Sequence, residues 1–366
     1  MIPILFSPTA TDFTTNGIGR LIDTISCKVE EERNGEYELK LVYPTSGEFY
    51  DKIQNDSLIV VKPSYGAKRQ AFRVYNKTSS LGYRCSILAR HISYDTKYIP
   101  IKPFNATGIQ NTLDILNDKV SANRVNYVDN PFLIYTDVEN TDTIYNTTAP
   151  RSLRACLGGD EGSILDRFSG RGTGEYEWDN FNIFFRKNRG SDKGYTCRYG
   201  KNIVSLEREL DSESFFTGAI GYWQDYEGET TVTGSVQYAD NSRAYPIQKV
   251  SVIDFSSDFE EEPTVEDLNA AAKLFADAYC DIDDSIDLDF YDQDNQAVQL
   301  CDTIRVIFSK IGVDVTVKVV KTVWDVLLEK YEKITVGSPR STLDRTLAND
   351  QDSKASLPGP VAEEER

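Results

Sequence analysis

Residues 20–44, RLIDTISCKVEEERNGEYELKLVYP, constrain the fold more than any other stretch of this chain. Cys27, Val29 and Glu31 alternate with polar neighbours before Asn34-Gly35, and Tyr37, Leu39, Leu41 and Tyr43 alternate with Glu36, Glu38 and Lys40 after it. A period of two on both sides of Asn-Gly predicts a β-hairpin closed by a type I′ turn, with positive φ at both central residues. A lone hairpin is marginal in water, so further strands must cover its apolar face.

The neighbouring sequence supplies them. Met1–Phe6 is a short apolar run closed by Ser7-Pro8; Leu58–Val61, Gln70–Thr78 and Tyr83–Tyr94 follow with turn residues between. Short strands at this spacing predict a small barrel or sandwich over 1–104. The period then changes. Ile109, Leu113, Leu116 and Val120 have helical spacing, with Thr107 as a candidate N-cap. A second short helix is expected to carry Pro150 in its first turn and to stop at Gly158-Gly159. Tyr176–Arg186 reads as an aromatic-rich strand, and strands continue through residues 203–253. Thr264 and Asp267 sit like a capping box before Val265, Leu268, Ala272, Phe275 and Tyr279, a well-formed amphipathic helix. Strands resume at Ser285–Tyr291 and run through Asp302–Trp324 and Lys333–Val336. Residues 337–366 hold few apolar anchors and are expected to be a flexible tail.

Asp56–Val61 followed by Phe72–Tyr75 and Lys77-Thr78 has an echo in Asp302–Ile307, Val317–Val320 and Lys321-Thr322. Each is a strand, a turn and a second alternating strand, the pattern of a faint internal repeat.

Chemistry is harder to find. The formal charge of −18 over 366 residues argues against sequence-specific nucleic-acid binding, although an acidic wall suits a conduit that DNA passes without sticking. No signal peptide is visible, and no run approaches the ~20 apolar residues that span a bilayer, so no stable membrane insertion is expected. Six scattered cysteines without a CxxC pair read as reduced thiols rather than a disulfide frame or a zinc site. His91 is the only histidine, so any Ser-His or Cys-His site would need it. Its place at the end of an apolar strand predicts a structural, hydrogen-bonded role. The acidic run Asp281–Asp294 meets no EF-hand register and reads as a strand with Ile286, Leu288 and Phe290 inward. The glycine-rich loops at 158–162 and 170–174 lack the ending of a phosphate loop and read as turns. Trp178, Trp223 and Trp324 lie in alternating strands, where packing is the default. No catalytic residue, cofactor site or metal site is assigned.

MIPILF, NGIGRL, the EERNGEYEL hairpin and its YP ending resemble the start of the prophage tail-endopeptidase (tail-associated lysin) family. FRVYN (72–76), ARHISYD (89–95), RSLRACLGG (151–159), GEYEWDNFNIFF (174–185), RYGKNI (198–203), FEEEPT (259–264) and VVKTVWDVLLEKYEKITVG (319–337) continue the resemblance in order. GRGTG (170–174) looks inserted relative to that family.

The resemblance implies an α+β, mainly β chain similar to contractile-tail baseplate hubs. Two similar small β-barrels, 1–104 and 203–250 plus 285–336, would carry an inserted peripheral α+β region of 105–202 and 251–284. It further implies a homotrimer of six barrels around a DNA channel, placed at the virion tail tip or baseplate and assembled in the host cytoplasm. One face would meet the tail tube or distal tail protein, the other a spike, fibre or lysin. No lytic activity is expected of this chain. The alternatives are a tail-associated endopeptidase using His91, and a wall-sugar adhesin using its aromatic strands.

Overall fold

The computed structural model describes residues 1–79, 82–117, 130–158, 162–169, 174–201, 203–211, 215–225, 230–256, 259, 262–280, 283–290, 298–311 and 313–337. The chain divides into two compact units, one of residues 1–207 with those from 286 onward, the other of residues 208–285. The proposed tail beyond 337, residues 170–173 of the GRGTG segment, the ends of the acidic run and the side chains of its strand lie outside the described residues.

The first strands are β1 (Ile4–Phe6), β2 (Gly19–Arg20), β3 (Ser26–Glu32), β4 (Tyr37–Pro44), β5 (Leu58–Val61), β6 (Gln70–Ser79) and β7 (Arg84–His91). The expected hairpin is β3–β4, and its alternation is realised: Cys27, Val29, Leu39, Leu41 and Tyr43 are buried with Ile59, Phe72, Val74 and Ile87 in one core. β5 is buried on both faces, because Leu58 and Val60 join Ile4, Phe6 and Phe13 in a second cluster behind it. That explains an unbroken apolar run where the hairpin strands alternate.

The turn differs from expectation. Positive φ occurs at Asn34 (55°), whereas Gly35 stays outside the left-handed region, and Gly35 N donates to Glu32 O across a three-residue loop. Tertiary hydrogen bonds decide this geometry: Asn34 Nδ2 donates to Gly174 O at 2.9 Å, and Asn34 Oδ1 accepts from Tyr176 N at 2.8 Å.

Between His91 and Ser191 the chain builds β8 (Pro100–Ile101), β9 (Asn105–Thr107), α1 (Ile109–Asn117), β10 (Leu133–Thr136), β11 (Ile144–Asn146), β12 (Arg151–Ser152), α2 (Leu153–Leu157), α3 (Ile164–Phe168), β13 (Glu175–Asp179) and β14 (Asn182–Arg186). α1 buries Ile109, Leu113 and Leu116, as its spacing requires. α2 is capped by Ser152, whose side chain accepts from Ala155 N, so Pro150 precedes the helix instead of sitting in its first turn; Gly158 ends it. The segment 176–186, expected as one strand, is the hairpin β13–β14. Its turn residue Asn180 has φ 53° and docks on β6, accepting from Ala71 N and donating to Arg69 O. Those two bonds reward a bend that no apolar period reveals.

After β15 (Asp192–Arg198) and β16 (Ile203–Asp211) come β17 (Gly218–Gln224), β18 (Thr231–Thr233), β19 (Gln237–Tyr238), β20 (Val250–Asp254) and α4 (Val265–Tyr279). β17 takes β18 and β19 antiparallel and β20 parallel in a separate four-stranded sheet, although 203–250 was grouped on sequence with 285–336. α4 covers it, burying Ala272 and Ala276 against Ala219 and Ala239. Small residues on both sides let helix and sheet approach closely. The Thr264–Asp267 capping box is formed.

The remaining strands are β21 (Asp283–Phe290), β22 (Thr303–Phe308), β23 (Val313–Asp325) and β24 (Lys330–Gly337). The large sheet runs β16-β21-β24-β23-β3-β4-β7-β6-β5-β1-β2, with β22 on β23 and β15 on β22. Two modules therefore share one order, β3-β4-β7-β6-β5-β1 and β16-β21-β24-β23-β22-β15. The second has its own core of Cys197, Ile304, Val306, Val313, Val319, Ile334 and Val336.

The repeat extends to individual bonds. Asp56 (φ 67°) donates its N–H to Val74 O, and Val74 N to Ser57 O; Cys301 (φ 71°) donates to Val319 O, and Val319 N to Asp302 O. Leu58 opposes Arg73 as Thr303 opposes Lys318, and both long strands carry an irregularity two residues later, at Tyr75 and Val320. Asp56 thus matches Cys301, one residue away from the sequence alignment of Asp56 with Asp302. The mainly β, α+β class stands. Among the described residues neither module closes into a ring, because the edge strand β3 is taken by β23 of the other module.

Candidate functional site at the module junction

β3 and β23 join the modules antiparallel, from Glu32 opposite Lys321 to Lys28 opposite Asp325. Their outer charges pair: Lys321 Nζ to Glu30 Oε1 at 2.5 Å, and Lys28 Nζ to Glu332 Oε1 at 2.5 Å. Burial alone would raise the Glu30 carboxyl, but Lys321 and Lys40 hold it below the usual range. Half-exposed pairs of this kind contribute about 0–1 kcal/mol each.

The inner side carries a different chemistry. Glu175 is fully buried at the start of β13; its Oε1 lies 2.9 Å from Arg33 Nε and 2.6 Å from Lys318 Nζ, and its Oε2 accepts from Arg189 N at 2.7 Å. The Arg33 contact is an ion pair without an aligned N–H. Arg189 Nη1 reaches Glu31 Oε1 at 2.8 Å; burial would lower its guanidinium, but the Glu31 charge reverses this and pushes it up. Glu31 and Arg33 come from the hairpin, Glu175 and Arg189 from the intervening segment, and Lys318 from β23. One ionic cluster therefore staples three parts of the chain.

Next to it, Asp302 accepts from Ser191 N at 3.0 Å and Gln299 N at 2.8 Å, and pairs with Lys193 Nζ at 2.8 Å. Gly190 makes this approach possible, since a Cβ there would meet the Cys301 carbonyl oxygen at 1.9 Å.

Sequence alone places Glu31 and Asp302 in strand patterns but assigns none of these residues to a site. The available signal was Glu31, a charge at the inward position of a strand whose other inward residues are Cys27 and Val29.

The structure places His91 in the core rather than in a cleft. It is fully buried, stacked on Tyr37 at 4.5 Å and edge-on to Phe72 at 5.5 Å. Ser93 N–H donates to Nδ1 at 3.2 Å, so Nε2 carries the proton and donates to Gln70 Oε1 at 3.1 Å. Burial, aided by the Arg154 charge, pushes the imidazole down to about 3. A general base needs a pKa near the working pH and access to substrate, and this ring has neither.

A pH effect on stability follows. Between pH 6.5 and about 3 the unfolded chain binds a proton at this site that the folded chain refuses, so stability falls as pH falls through that window. From pH 7 to pH 5 the loss from His91 alone should be about 2 kcal/mol. Urea unfolding of wild type and His91→Gln at both pH values checks this. An unchanged pH difference in the variant would sink it.

The other candidates give no chemistry. All six cysteines are buried and outside any disulfide, and burial pushes the Cys301 thiol up to about 12. Trp178 stacks on Tyr176 and under Arg154, Trp324 packs edge-on to Tyr331, and Trp223 donates to Phe259 O. No three His, Cys, Asp or Glu side chains gather at metal-binding distance among the described residues. No described helix is long and apolar enough to cross a membrane.

A fold of two matched strand modules invites comparison with known proteins. Residues 191–347 match the family described as prophage endopeptidase tail. This segment holds the second module and the α4 unit. No curated protein matches the chain in sequence. In structure the chain is similar to prophage tail protein gp18 from Listeria monocytogenes EGD-e, with a TM-score of 0.60 at 14% identity over 96% of this chain and 100% of that one. It is similar also to the 43 kDa tail protein of prophage MuSo2 from Shewanella oneidensis, with a TM-score of 0.61 at 14% identity over 93% and 99%. The tail protein from Neisseria meningitidis MC58 gives 0.57 at 8% identity over 92% and 96%. The fold is that of phage tail proteins.

Proposed function

We propose that this chain is the structural hub of a phage or phage-derived tail tip. Three copies form a ring around the DNA channel, joining the tail tube or distal tail protein on one face to a spike, fibre or lysin on the other. The observation that carries this is the duplicated module: two copies of one strand order per chain let three chains present six equivalent modules, so a threefold object can mate with a sixfold tube. The charge of −18 suits a wall that DNA slides past. Function then resides in interfaces, and the burial of His91 counts against the endopeptidase reading.

Light scattering tests the assembly. The expected mass is 3 × 41.3 kDa, or 123.9 kDa, with a ring of open centre by negative stain. A strict monomer at high concentration would count against the hub.

A further inference from the structure

The internal junction has two unfilled counterparts. Within the chain, β3 covers β23 along Lys321–Asp325, beyond the reach of β22, which pairs only as far as Lys318. The bond-by-bond repeat equates β23 with β6, so Lys321–Trp324 corresponds to Asn76–Ser79. On one side that stretch pairs with β7; on the other, the pairing with β5 ends at Arg73 and its flanking bonds at Val74, and among the described residues no strand follows. The repeat likewise equates β3 with β16. Where β3 lies between β4 and β23, β16 ends the sheet among the described residues, with β21 beside it and a single bridge from Ile203 to Tyr199. Asn76, Thr78 and Ser79 on the first edge, and Ser205 and Glu207 on the second, are exposed and polar. An unpaired edge is a template for a strand. Here the chain already contains the mating pair, used once.

We infer that β16 of one copy lies antiparallel along Asn76–Ser79 of β6 in the next copy, reproducing between chains the β23–β3 junction found within each. The contact is heterologous, the tail of one chain on the head of another, so identical copies close into a ring instead of stopping at a dimer. Closure at three rests on the hub reading; the identity of the two edges rests on the repeat.

The test is a Thr78→Cys, Ser205→Cys double variant of the full chain treated with a short bis-maleimide, which spans paired strands even one residue out of register. Both positions are exposed, and the six native cysteines are buried and slow to react. Thermal melting matched to wild type confirms that the variants fold. The expected result is a ladder on denaturing gels ending at three chains, whereas a mixture of the two single variants gives only heterodimers. Homodimers from Thr78→Cys alone would mean like-on-like pairing and overturn the inference. A trimer by light scattering without cross-links would overturn it too while leaving the hub reading intact. A monomer by light scattering with no cross-links would remove both.

Discussion

Replacing Glu175 by alanine should destabilise the protein by about 3–5 kcal/mol. The carboxylate is wholly buried and is the contact between Arg33 and Lys318, side chains that are themselves mostly buried. Its removal takes the carboxylate away from two largely buried cations, and it leaves Arg189 N without its acceptor. The cost comes from that uncompensated charge rather than from the net worth of the ion pairs, since replacing a whole buried cluster by apolar residues is often neutral. Glu175→Gln should fall in the same direction, keeping an acceptor but not the charge. Lys28→Ala, which breaks a half-exposed pair on the outer side of the same junction, should change stability by less than about 1 kcal/mol. Urea unfolding of the three variants measures the contrast. Equal midpoints for Glu175→Ala and Lys28→Ala would show that the buried cluster does not hold the modules together.

Gly190→Ala should be worse tolerated than substitution at any open glycine. The added Cβ would lie 1.9 Å from the Cys301 oxygen, 2.1 Å from its carbonyl carbon and 2.5 Å from Asp302 N, all of them backbone atoms that no rotamer change can clear. The start of β22 would have to move, breaking Thr303 N–H to Ser191 O and Ser191 N–H to Asp302. A loss of about 3 kcal/mol is expected, at the upper end of overpacking costs. Gly66→Ala offers the comparison: its φ is 67° but nothing lies within 4 Å, so only local strain of about 1 kcal/mol applies. Thermal melting of both variants decides it; a Gly190→Ala protein as stable as Gly66→Ala would mean the strand shifts freely.

Alternation fixed which faces of β3 and β4 are buried, because period two in a half-buried strand leaves no other register. Thr264 and Asp267 specified the start of α4, since a capping box is satisfied by atoms three residues apart. His91, at the end of an apolar strand, is buried and hydrogen-bonded to Gln70 and Ser93. The internal repeat was visible too, but one residue out of step: residue types favoured Asp56 over Asp302, while the backbone equates Asp56 with Cys301 through matching φ angles and hydrogen bonds.

Other features depended on partners far away in sequence. Asn34-Gly35 abandoned its local turn preference because Gly174 and Tyr176 bond to the Asn34 side chain. Asn180 bends a continuous aromatic run because Arg69 and Ala71 receive it. The ionic staple collects Glu31, Arg33, Glu175, Arg189 and Lys318 from three separate segments, and nothing local marks them as neighbours. The sequence by itself determined which faces β3 and β4 bury and where α4 begins, since those depend on residues within a few positions of one another. Only the tertiary structure decided which strand meets which across the module junction, because pairing an edge is a choice among many exposed backbones, settled by charges and hydrogen bonds that the folded chain alone brings together.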